Sequence, residues 1–142
     1  MLLGAHDTIT IWNRYRNKQT NKDEWTRHTT SNASWECKIE SSVTDKGAVV
    51  AGAYSVLIAE HPDYRDHLTW KNMSPEDRAR HFTLNTGDLV ALGEIDLEIT
   101  GVEPYREADV RTELIPNAFQ IKAFADESEP HKMGRHYYVS GV

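Results

Sequence analysis

The chain has 142 residues, of which 39% are hydrophobic and 27% charged, with a formal net charge of −6. That length and composition fit one folded core rather than a disordered segment, and no apolar run approaches the roughly 20 residues a membrane-crossing helix needs. The acidic balance disfavours a protein whose main work is gripping nucleic acid, because phosphate contacts need clustered Lys and Arg.

The opening Met1–Asp7 has no basic region and no long apolar stretch, so it is not read as a secretory signal. Asp7–Arg16 alternates, with Ile9, Ile11 and Tyr15 on one parity and Thr8, Thr10, Trp12 and Arg14 on the other. Strong β-formers at period two make this a strand. A polar turn at 17–23 leads to a second strand over Glu24–Thr30. Ala33–Glu40 alternates again, placing Trp35, Cys37 and Ile39 on the face expected to be buried. The single cysteine, Cys37, excludes an internal disulfide and a cysteine-based zinc site, and it reads as a small packing residue. Thr44-Asp45-Lys46-Gly47 signals a turn. Val49–Ala59 is apolar on both parities, as in a central strand covered on both sides.

A long insertion follows over 61–80. Ser74-Pro75-Glu76-Asp77 is a helix start: a Ser cap, Pro at the first helical position and acids in the first turn. The helix is expected over Pro75–Arg80. In 81–100, Asn85-Thr86-Gly87-Asp88 interrupts two apolar stretches, which predicts a β-hairpin with Gly87 at positive φ. Pro104 and Pro116 punctuate the next segment, with one helical turn near Glu103–Val110. Ala118–Ala125 is a strand with Phe119, Ile121 and Ala123 on one face, and Arg135–Val142 is the last strand. The pattern predicts a mainly β chain: one domain over 1–142, a small antiparallel barrel or sandwich of about seven to eight strands, with a long loop bearing a short helix.

No motif for catalysis or cofactor binding accompanies these elements, and the expectation is a protein without cofactor, metal or enzymatic activity. His61, Asp63 and His67 are close in sequence and His81 could approach them, yet no tight metal-ligand spacing appears; His131 and His136 carry less weight. Glu94, Asp96 and Glu98 fall at alternate positions opposite Ile95, Leu97 and Ile99. Such a stripe can do acid–base work in a cleft, but a solvated or inter-subunit face produces the same pattern. Trp12, Trp25, Trp35 and Trp70 could form a stacking platform; Trp35 reads as core, and Trp12 as a cap on the barrel or a contact to a neighbouring subunit. Together with Trp70, the acids Glu94, Asp96 and Glu98, and Tyr137 and Tyr138 of the last strand, Trp12 is the candidate subunit or partner interface.

Four stretches, in order, carry a resemblance. They are DTITIWNRYRN followed by W-x-R, ASWECKIE with TDKG and an apolar strand, HFTLNTGDLVALGEIDLEIT, and HYYVSGV. The set resembles small uncharacterised structural proteins of phages and prophages of Gram-positive gut bacteria, usually labelled minor capsid or head–tail connector proteins. Among connector parts, adaptors are largely helical and tail terminators α/β, whereas head-closure (stopper) proteins are small β-barrels with extended loops. The resemblance therefore implies a stopper: a subunit of a homo-oligomeric ring, hexameric or higher, that helps retain packaged DNA. Its partners would be itself, the portal and adaptor, and the tail proteins, with DNA passing close by and no membrane. It would act at the head–tail junction of the virion after synthesis in the host cytoplasm. The alternative is a carbohydrate- or nucleic-acid-binding β module.

Overall fold

Six strands close on themselves in the order β1-β2-β3-β6-β5-β4, every neighbouring pair antiparallel. They are β1 (Asp7–Asn17), β2 (Lys22–Thr44), β3 (Gly47–Ala59), β4 (Leu89–Leu92), β5 (Ala118–Glu127) and β6 (His136–Gly141). Among the described residues, three short helices lie in the connections: α1 (His67–Lys71) and α2 (Pro75–Arg80) between β3 and β4, and α3 (Glu107–Leu114) between β4 and β5. This is a computed structural model that describes the backbone of residues 6–44, 47–127 and 136–142, and the side chains of 6–37, 53–125 and 136–142. Closure decides for the barrel and against the sandwich.

The barrel interior is filled by the inward parity of each strand: Ile9 and Ile11, Tyr54, Val56 and Ile58, Val90, Phe119 and Ile121, Tyr137 and Val139. Trp35 and Cys37 pack against this core from β2, as their alternation predicted. A second cluster lies outside the wall. Trp12, Leu89, Ala91 and Ala118 project outward from β1, β4 and β5, and Ile99 and Val110 of the 93–117 connection cover them. These strands are therefore buried on both faces.

The strand count is lower than expected for two reasons. The segments 24–30 and 33–40 are parts of one strand. β2 pairs with β1 up to Thr30, takes a one-residue register shift across Ser31–Ala33, and then pairs with β3. Asn32 sits at φ 62°, and the Asp7 carboxylate accepts the Trp35 amide at 2.9 Å beyond the shift. The extra residue lets a single strand turn the barrel's corner.

The predicted hairpin at 81–100 is also absent. Its turn forms: Gly87 has φ +98°, and the Asp88 amide donates to Asn85 O at 3.1 Å. Yet 81–84 is not a strand arm. Phe82 donates its amide to Asp63 O, Arg65 donates to Phe82 O, and Thr83 is held by the Asn13 side chain. Leu89–Leu92 pairs with β1 and β5 instead. Phe82 and Leu84 are thereby carried into the barrel core.

Two smaller readings shift. β5 carries a one-residue bulge between Ile121 and Ala123, so Ala123 is exposed and Phe124 packs inward in its place. β3 is a central strand only from Tyr54 to Ala59, where β6 pairs with it; over Gly47–Ala53 its one strand neighbour among the described residues is β2. Asp45 and Lys46 of the expected turn lie outside the described residues, and Thr44 and Gly47 on either side are register partners. α2 starts where the capping signature placed it, with the Ser74 hydroxyl accepting the Asp77 amide at 3.2 Å. The helical turn expected near 103–110 is α3, displaced to Glu107–Leu114.

Candidate functional site

The end of the barrel towards which β1 and β3 run gathers most of the polar chemistry. β3 stops at Ala59, and its neighbour on β2 at that level is the corner at Ser31–Ala33. The chain beyond β3 therefore passes the next residues up β2, among them His28. One potential ligand atom from each of His28, His61 and Asp63 lies within 4.8 Å of the others. His28 stacks on Phe82 with ring centroids 4.5 Å apart, and the His61 ring stands edge-on to both, at 5.8 Å and 5.6 Å. His61 Nδ1 accepts the Asp63 amide at 3.0 Å and lies 3.8 Å from Asp63 Oδ2. His28 Nε2 is shut off from solvent without a hydrogen-bond partner. Burial holds the His28 imidazole below the ordinary histidine range, and the charges of His61 and His81 add to this while Asp63 opposes it.

The sequence grouping of His61, Asp63 and His67 is thus half right. His67 leaves the group: it opens α1 and stacks on Trp70 at 6.2 Å. His28 replaces it from a strand 33 residues before His61, a distance no local spacing could bridge. His81 comes near enough for its charge to act on His28, while its Nδ1 lies 2.9 Å from Asp77 O. His136 is buried, and His131 lies outside the described residues.

Beside this cluster sits a buried carboxylate that the sequence did not mark beyond its place in a turn. Asp88 is 1% exposed. Its Oδ1 accepts the Arg14 amide at 2.9 Å, and its Oδ2 accepts the Asn85 amide at 3.0 Å and Asn13 Nδ2 at 2.9 Å. Burial pushes its pKa up to about 7 against the pull of these donors and of the Arg14 charge. Asn13 also grips the Thr83 backbone, donating to its carbonyl at 2.6 Å and accepting its amide at 3.1 Å. The pair ties β1, the turn and the 81–84 segment together.

Several interface candidates are consumed by the chain's own packing. Trp12 is fully buried on the outer wall beneath the 93–117 connection and donates Nε1 to Leu97 O at 2.8 Å. It lies on the side wall under its own chain's cover, so it neither caps the barrel nor faces a neighbour. Trp70 is fully buried where α1 and α2 dock, edge-on to Tyr15 at 6.4 Å. Arg78 of α2 lies 3.7 Å over the same Tyr15 ring. Tyr137 points into the barrel core. These three are corrections to the proposed interface: alternation and aromatic content do not distinguish a solvent face from one that another segment covers. Trp25 is partly buried against the outer cluster and Trp35 against the core, so the tryptophans form no exposed platform.

The acids are placed as the alternation implied. Ile95, Leu97 and Ile99 turn towards the outer cluster, and Glu94, Asp96 and Glu98 face solvent, although 93–100 runs as extended chain without a sheet partner. Asp96, 98% exposed, and Glu98 pair with Arg27 at 3.0 Å and 3.1 Å. None of the three lines either of two concavities on the surface of the described residues. One of these, about 440 Å³, lies on the outer face of β3 and β6, where Tyr138, half-buried, stands with Ala53, Ser140 and the exposed Val142. The other, about 470 Å³, lies between Leu97, Tyr105 and α3.

No helix among the described residues is long and apolar enough to cross a membrane. No curated protein and no solved structure matches the chain. A family model described as a family of unknown function (DUF6751) matches residues 5–142, and the chain belongs to that family.

Proposed function

We propose that this protein is a structural subunit of the head–tail connector of a tailed phage, of the head-closure type, and that it assembles as a ring at the junction of head and tail. The ordered set of four motifs supports the reading, as does a small closed barrel with extended connections. The single observation that carries it furthest is the ribbon made by the ends of β2 and β3. Beyond Tyr54, where the pairing with β6 ends at Gly141, residues Gly47–Ala53 and their β2 partners run on as two strands alone. Seven residues of strand reach roughly 23 Å. The ribbon runs past the closed part of the barrel with sheet edges unpaired, as the β1–β2 end at Asn13–Asn17 and Lys22–Thr26 also does, and open edges are templates for pairing with another chain.

The ribbon leaves the barrel at the end where β6 finishes, so Val142 and the groove beside Tyr138 lie at its base. In the ring, the ribbon of one copy lies against the next copy, with Tyr138 and Val142 as contacts and the acids Glu94, Asp96 and Glu98 as a solvated face. The ring helps to retain packaged DNA and joins the portal and adaptor to the tail. The alternative, a carbohydrate- or nucleic-acid-binding module, loses its main support with Trp12 and Trp70 buried.

The test is native mass spectrometry and electron microscopy of the protein alone and mixed with the portal and adaptor proteins encoded beside it. Rings, or binding to the portal complex that is lost when 40–51 is replaced by a short turn, bear the proposal out. A protein that remains monomeric and ignores both partners overturns it.

A further inference from the structure

The geometry points to a binding site for a first-row divalent cation, zinc foremost, formed by His28, His61 and Asp63 and fastening the β3–β4 connection to β2. This inference is independent of the connector reading. Three observations carry it. First, the donor set is chemically apt: two imidazoles and a carboxylate suit zinc and its neighbours in the first transition row, whereas calcium and magnesium favour oxygen-only shells. Second, the donors are nearly in place. Bonds of about 2.0–2.2 Å put tetrahedral ligands roughly 3.4 Å apart. His61 Nδ1 and Asp63 Oδ2 are already 3.8 Å apart, and one ligand atom of each of the three residues lies within 4.8 Å of the others. Third, one of the three residues carries an unanswered polar atom. His28 Nε2 is sequestered from water with no hydrogen-bond partner, which costs free energy that coordination through this nitrogen would offset.

The protonation pattern agrees. His61 Nδ1 accepts a hydrogen bond from the Asp63 amide, so its lone pair, not a proton, faces Asp63. A cation takes that lone pair and the amide bond gives way. The Phe82 ring, stacked on His28 and edge-on to His61, forms an apolar wall on one side. The Asp63 carbonyl accepts the Phe82 amide at 3.1 Å, so the same loop is tied to the segment that plugs the barrel. The fourth coordination position is left to water. Because the ligands come from a strand and from a loop far along the chain, the ion acts as a cross-link of tertiary structure. It binds the folded chain and not the unfolded one, and so raises the melting temperature.

The experiment uses the full chain, stripped with a chelator and titrated with Zn²⁺ by calorimetry, and with Co²⁺ by visible absorption. One Zn²⁺ per chain is expected, with cobalt bands of a tetrahedral or five-coordinate site and a rise in melting temperature. Asp63→Asn and His61→Ala should each weaken binding at least tenfold. His67→Ala, in the same connection but outside the set, should bind as the parent does. Should His28→Ala fail to fold by circular dichroism, Asp63→Asn decides. The inference is overturned by a parent that takes up no Zn²⁺ at millimolar concentration, by several weak sites per chain, or by equal affinity in the parent and Asp63→Asn.

Discussion

Replacing Asp88 by Asn isolates one titration and tests the account of the buried turn. The carboxyl is pushed from its ordinary 3.8 up to about 7. In the folded chain it therefore keeps its proton at a pH where the unfolded chain has lost it. The folded state binds more protons in that window, so its stability is fully present below about pH 4 and falls as pH rises towards 7, levelling off above. At about 1.36 kcal/mol per unit, a shift of about three units amounts to roughly 4 kcal/mol. His28 and His67, which burial holds below the usual histidine range, act in the opposite sense as pH rises through the unfolded value. The parent alone would thus show a blurred profile, and the difference between parent and Asp88→Asn is the quantity to measure. At pH 5 the variant should be less stable by about 1–3 kcal/mol, because its amide has one acceptor oxygen and two N–H donors to place among the amides of Arg14 and Asn85 and the Asn13 side chain, where the neutral carboxyl has two oxygens and a single O–H. The gap should close, and can reverse, by pH 8. Urea denaturation at half-unit steps from pH 4 to 8 reads it directly. Parallel profiles, with a gap that does not change over that range, would refute the assignment of a buried, proton-holding carboxyl.

Gly141→Ala should destabilise by about 2–3 kcal/mol, since a Cβ there would lie 2.0 Å from Gln120 O and 2.6 Å from the Phe119 ring; an unchanged urea midpoint contradicts the close approach of β5 and β6. Trp70→Ala should cost about 3–5 kcal/mol, with loss of amide-exchange protection concentrated in 61–82, because the indole anchors α1 and α2 and donates to Arg78 O and His81 O at 3.3 Å. Protection lost evenly along the chain would mean that the connection does not dock as a unit. The double change Asp96→Ala with Glu98→Ala should lower stability by no more than about 1 kcal/mol, because both acids are well exposed, even though Arg27 is only 25% exposed and loses both partners. A larger drop would assign these acids a structural duty that their exposure does not suggest.

Much of the local structure was legible because it is decided locally. Period-two alternation marked β1 and the inward residues of β2. The Ser74-Pro75 signature located α2, and Asn85–Asp88 made the turn its residue types require. The alternation of Ile95, Leu97 and Ile99 against Glu94, Asp96 and Glu98 survives without a strand, since one side of an extended chain still meets an apolar wall. What alternation cannot report is the identity of that wall. Trp12 and Trp70 looked available for a partner because their own neighbours in sequence do not cover them; residues far along the chain do.

The sequence by itself determined a mainly β chain, the positions of its turns and caps, and which side chains seek burial, because these follow from backbone sterics and nearest-neighbour chemistry. Tertiary structure alone decided that six strands close into a barrel, that the Asn13 amide replaces a strand partner for Thr83, and that His28 meets His61 and Asp63. Each of those outcomes is a pairing between segments distant in the chain. Its free energy depends on which alternatives are excluded once the barrel has closed, and no window of sequence contains that information.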